Sequence, residues 1–68
     1  MTPTDLRAAL ARLGLTQGQA ARLMGVDART MRRWVCGERG MPGPAVRLLM
    51  VMEMVAGVVE MLDALDVD

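Results

Sequence analysis

Gln17-Gly18-Gln19-Ala20-Ala21-Arg22-Leu23-Met24-Gly25-Val26-Asp27-Ala28-Arg29-Thr30-Met31-Arg32-Arg33-Trp34-Val35-Cys36, with Thr16 before it and Gly37 after it, is the stretch that decides the fold. Thr16 and Gln19 have capping-box spacing and open one short helix, whose apolar face is Ala20, Leu23 and Met24. Asp27 is a good N-cap for a second helix, with Met31, Trp34 and Val35 facing inward and Gly37 closing it. Only Gly25, Val26 and Asp27 separate the two, and a connection that tight makes the helices cross steeply. Close crossing needs a small residue on the first helix, which Ala21 supplies, and a turn that tolerates positive φ, which Gly25 supplies. Val26 points inward from the turn.

Working outward, Thr2-Pro3 reads as an N-cap followed by proline at the first helical position, with Asp5 near the positive helix end. Leu6, Leu10 and Leu13 then recur at spacings of four and three, and Gly14 stops the helix. Residues 38–43 form a loop, and Pro44 begins a fourth helix running toward Leu65, with Gly57 placed to kink or interrupt it. Val46, Leu49 and Met50 suffice to cover the central pair. No segment alternates with period two, so the expectation is an all-α chain of four to five helices, one domain over residues 1–68.

A chain of 68 residues buries only about 60% of the surface its unfolded form exposes, so its core needs a supplement. Cys36 is the only cysteine and there is no histidine, which removes an intrachain disulfide and zinc-ligand spacing. No metal and no cofactor are expected, and self-association remains as the supplement. The stretch from Val46 to Leu65 is apolar enough to suggest a membrane span, but Arg47, Glu53, Glu60 and Asp63 interrupt it. With no secretory leader pattern at Met1-Thr2-Pro3-Thr4-Asp5, a cytoplasmic location is expected.

The zero net charge conceals a division. Residues 1–40 carry seven arginines against three acids, a net +4, and residues 41–68 carry one arginine against five acids, a net −4. A basic half beside an acidic half points to a polyanion-binding face and a face kept away from it.

Thr16, Gln17, Ala21, Gly25, Val26, Met31, Trp34 and Gly37, at the spacing they have here, resemble the Cro and phage-repressor class (XRE-type) of prokaryotic helix-turn-helix regulators. The strong match covers residues 17–36, and a looser match in helix lengths runs from about Asp5 to about Met52. Two departures are Ala20, where a larger aliphatic residue is common, and Gly18, which lowers helix propensity by about 1 kcal/mol relative to alanine. The resemblance implies that Gln17 holds a DNA phosphate and that the second helix enters the major groove, its exposed positions Ala28, Arg29, Thr30, Arg32 and Arg33 reading base edges. Independently of the family, Arg29, Arg32 and Arg33 at i, i+3 and i+4 share one helical face, and an arginine can donate two hydrogen bonds to guanine O6 and N7. Arg39, in the loop after that helix, is a candidate phosphate contact. Arg7 and Arg22 fit a phosphate contact or a plain surface position equally. Arg12 and Arg47 read as surface or intramolecular pairs, Trp34 as core and Cys36 as a small, partly buried residue.

Beyond the central pair, Val51, Met54, Val58, Met61 and Leu65 recur at 3-4-3-4, an a/d seam with valine or leucine at each a position. Glu53, Glu60 and Asp63 cluster on the opposite face. A segment of about residues 51–66 is therefore expected to form a homodimer. The expected function is sequence-specific binding of double-stranded DNA by a homodimeric transcription regulator, a repressor of phage or mobile-element type. The alternative is an antitoxin-like or adaptor module that uses the same fold to grip a second protein through the C-terminal apolar stripe. Without histidine, lysine or tyrosine, and with no Gly-rich phosphate loop, an enzyme is not expected.

Overall fold

A computed structural model describes residues 1–55 and 57–65. Asp66, which ends the expected dimer segment, and Asp68 of the acidic half lie outside the described residues. Five helices follow in chain order: α1 Pro3–Leu13, α2 Gln17–Met24, α3 Ala28–Cys36, α4 Gly43–Met54 and α5 Val58–Ala64. Among the described residues there is no strand, so the all-α expectation is met.

Local chemistry sets the starts. Thr2 Oγ1 accepts the Asp5 N–H at 3.1 Å while the Asp5 carboxylate accepts the Thr2 N–H at 3.2 Å, which satisfies two otherwise orphaned donors at the start of α1. Thr16 and Gln19 repeat the device on α2, at 3.1 and 2.9 Å. Asp27 Oδ1 accepts the Thr30 N–H at 2.6 Å and opens α3. Between α2 and α3 the chain turns at Gly25, whose φ of +73° is the left-handed region that disfavours any residue with a Cβ. The Val26 N–H returns to the Ala21 carbonyl at 3.0 Å, so the turn leaves no stray polar group there.

The core takes Leu6, Ala9 and Leu10 from α1, Ala20 and Ala21 from α2, Met31, Trp34 and Val35 from α3, and Leu49 from α4. Leu6, Met31 and Leu49 are the largest side chains with almost no exposed surface. At about 1.5–3 kcal/mol for each such burial, these three pin α1, α3 and α4 to a common centre. The two alanines of α2 admit the close approach of α3, against which α2 chiefly packs. Trp34 is only 5% exposed, in agreement with its inward expectation.

Two expectations are corrected and one open alternative is decided. Met50 is 48% exposed, whereas Met52 is buried. The inward face of α4 is therefore Ala45, Leu49 and Met52, at spacings of four and three: Pro42 and Pro44 mark the start of the helix, and packing against α1 and α2 selects its buried face. Cys36 is exposed rather than partly buried, since it ends α3 on the side away from Met31 and Val35. Of the two courses open to the C-terminal segment, the interrupted one is found. The fourth helix stops at Met54, Val55 is extended (φ −112°, ψ 110°), Gly57 takes φ +87°, and α5 begins at Val58. Glycine is the residue that makes that reversal inexpensive.

The break lets α5 turn back onto α2. Arg22 Nη2 donates to Asp63 Oδ1 at 2.8 Å, and Leu15, Gln19 and Leu23 line a groove with Val59 and Glu60. Arg12 Nε meets Glu53 Oε1 at 2.7 Å and ties α1 to α4. Arg7 Nη1 donates to the Val35 carbonyl at 2.8 Å, near the C-terminal end of α3. Among the described residues, no helix is long and apolar enough to cross a membrane.

Candidate nucleic-acid interface

Both members of the α2–α3 pair begin at the same surface. Gln17 and Gly18, the first two residues of α2, line one open groove with Ala28 and Arg29, the first two of α3, and with Arg32 one turn further on. A helix N-terminus carries unsatisfied N–H groups and a positive dipole end. Two such ends, each capped on its own first turn, thus flank a groove that two guanidinium groups edge. The chemistry is that of an anion-binding surface with donors placed to either side.

The arginines divide by what they already hold. Arg7, Arg12 and Arg22 are engaged within the fold. Among the described residues, Arg29, Arg32, Arg33 and Arg39 make no ion pair and no side-chain hydrogen bond. The first two and the last are exposed, and Arg33 is half-buried. Close to Arg29 and Arg33 is Asp27, whose carboxyl the Thr30 N–H holds below the usual aspartate range, with those two arginines adding to the effect. Asp27 is thereby kept as a charged helix cap, and its hydrogen bond is spent on the backbone. Glu38, the other acid of this region, pairs with none of these arginines.

Of the residues singled out from sequence, the fold brings Gln17, Ala28, Arg29 and Arg32 to one groove. Thr30 is half-buried on the first turn of α3. Arg33 lies off the groove lining, and its partial burial sets it apart from the two arginines it was grouped with. Arg39 stands at the other end of α3, where its N–H meets the Arg33 carbonyl at 3.3 Å and it borders a small hollow with Met1, Pro3 and Trp34. Arg7 and Arg22, for which a phosphate contact and a surface position were both open, have intramolecular partners instead. Their partners come from distant elements, and nothing in local spacing signals them.

Gly18 is a groove residue that sequence reading treated only as a weak point in α2. A Cβ there would meet nothing closer than Thr16 Oγ1 at 4.0 Å, so the glycine is not required by packing within the chain.

The proposed seam residues are mostly open to solvent. Met54 is 78%, Met61 63% and Leu65 69% exposed; Val51 is exposed as well, and Val58 is half-buried at the start of α5. Among the described residues, no three of Cys, Asp and Glu gather as a metal-ligand set. The chain matches no protein-family model, no curated protein and no solved structure.

Proposed function

We propose that this chain is a helix-turn-helix regulator that binds double-stranded DNA in a sequence-specific manner, as a homodimer, with α3 as its reading helix. The observation that carries the reading is the groove where α2 and α3 both begin, edged by Arg29 and Arg32 with no acidic partner. Duplex DNA supplies what that surface lacks: phosphates for Gln17 and the α2 N-terminus, and guanine edges for the arginines. Arg33, Thr30 and Ala28 complete the reading face, and Arg39 is a backbone contact at its far end. The resemblance of residues 16–37 to phage-repressor-type regulators supports the same assignment, and repression at a short operator is the role it fits.

The exposed apolar stripe of Val51, Met54, Met61 and Leu65 favours self-association, and it equally favours a second reading, an adaptor that grips another protein. In vitro selection from random duplexes separates them. A regulator enriches an inverted repeat whose half-sites contain guanine, and an adaptor enriches nothing. Failure to enrich any sequence at low salt would overturn the DNA reading.

A further inference from the structure

The apolar seam and the fold of the single subunit are incompatible as they stand, and that conflict is informative. Val51, Met54, Val58, Met61 and Leu65 form an a/d series only if the backbone stays helical from one end to the other. In the subunit the series is cut between Met54, the last residue of α4, and Val58, the first of α5. The step of four residues that should carry the seam across is occupied by an extended Val55 and a left-handed Gly57. Downstream of the cut, α5 faces α2 with Val59 and Asp63, while Met61 and Leu65 point to solvent.

The folded-back seat of α5 is thinly held. None of its residues is buried and no side chain caps its start. Among the described residues, the ion pair that ties it to α2, Arg22–Asp63, is about half exposed on both sides, the kind of contact that contributes little.

We propose that α5 has two seats: folded against α2 in the lone subunit, and continuous with α4 in a dimer with a second copy of this chain. Gly57 is the hinge, and the Arg22–Asp63 latch and the dimer seam exclude each other. A second copy is the occupant because the series is self-complementary: branched residues at each a position, two of them valine, and methionine at each d position give two copies the same apolar seam to lay together. Extension also carries Glu60 and Asp63 away from α2, so the dimer presents a more positive α2–α3 pair than the lone subunit does. This inference rests on the homodimer part of the proposed function and not on DNA binding.

The test exploits chirality at one position, since a 68-residue chain is within reach of chemical synthesis. Gly57→Ala penalises the left-handed bend and favours the continuous helix, whereas D-alanine at the same position favours the bend and penalises the helix. Composition and hydrophobicity are identical in the two. Sedimentation equilibrium of the full chain without DNA is expected to show Gly57→Ala associating roughly fivefold or more tightly than wild type, and the D-alanine chain more weakly than wild type. Should Gly57→Ala not fold, the D-alanine chain decides alone: association equal to or tighter than wild type overturns the hinge. If wild type dimerises but the two isomers associate alike, the hinge is wrong and the homodimer stands. If wild type stays monomeric at high micromolar concentration, the homodimer reading falls with it.

Discussion

Arg29 and Arg32 stand one helical turn apart and neither is held in an ion pair, which makes them the residues on which the proposed recognition should depend most. If the proposed base contacts hold, replacing either by alanine should cost about 1–3 kcal/mol at the preferred site while relaxing preference at one base pair. Arg39→Ala, at the proposed backbone contact, should weaken all sequences alike. Binding titrations on the selected site and on single-base variants distinguish the two patterns, and equal loss across sequences for Arg32→Ala would remove it from the reading set. At this scale the sequence is readable where a residue's placement follows from its own helix. Gln17, Ala28, Arg29 and Arg32 follow from helical phase, and the structure gathers them. Arg7, Arg12 and Arg22 did not, because their partners Val35, Glu53 and Asp63 lie 28, 41 and 41 residues away. A lone charge carries no mark of such a pairing.

Among the elements, α2 is held by its cap more than by its composition. It has eight residues, one of them Gly18, and only Ala20 and Ala21 fully buried. The Thr16–Gln19 exchange and the packing on α3 compensate for a weak intrinsic helix. Gly18→Ala is therefore expected to raise stability by about 0.5–1 kcal/mol, read as a higher midpoint in urea, since the new methyl meets nothing closer than 4.0 Å. A lower midpoint would mean that α2 carries strain at this position that its contacts do not reveal. Because Gly18 borders the groove, the same variant probes whether DNA backbone approaches α2 that closely. Caps and stops made α1, α2 and α3 legible from sequence to within a residue. The phase of α4 was not: Val46, Leu49, Met50 and Ala45, Leu49, Met52 are both apolar sets, and only tertiary packing chooses between them. The break at Gly57 was open for the same reason, because a glycine inside an apolar stripe allows both a continuous helix and a reversal.

On the scale of the whole molecule, one subunit measures 30 × 25 × 20 Å, less than the roughly 34 Å that separates successive major-groove faces on one side of a duplex. On the proposed DNA reading, a single copy would therefore cover one short half-site, too little to stand out among the competing sites of a genome. Two copies related by a twofold axis double the contact and set the half-site spacing. Their combined charge pattern then fixes the salt response: with about four phosphates neutralised per subunit, log K should fall with log salt at a slope of roughly −7. A slope near zero would mean that the basic half of the chain does not face DNA. Met54 and Met61 offer the cleanest way to break the pair, because both are largely exposed in the lone subunit and aspartate there leaves its core untouched. The double variant Met54→Asp/Met61→Asp should remain folded by circular dichroism, sediment as a monomer, and lose roughly 10²-fold or more in affinity for the inverted repeat as avidity disappears. It should retain the weak binding of a wild-type subunit to an isolated half-site. A double variant that still sediments as a dimer would show that the C-terminal stripe serves some partner other than a second copy of this chain, and a monomeric one that holds the full site as tightly as wild type would remove avidity from the account.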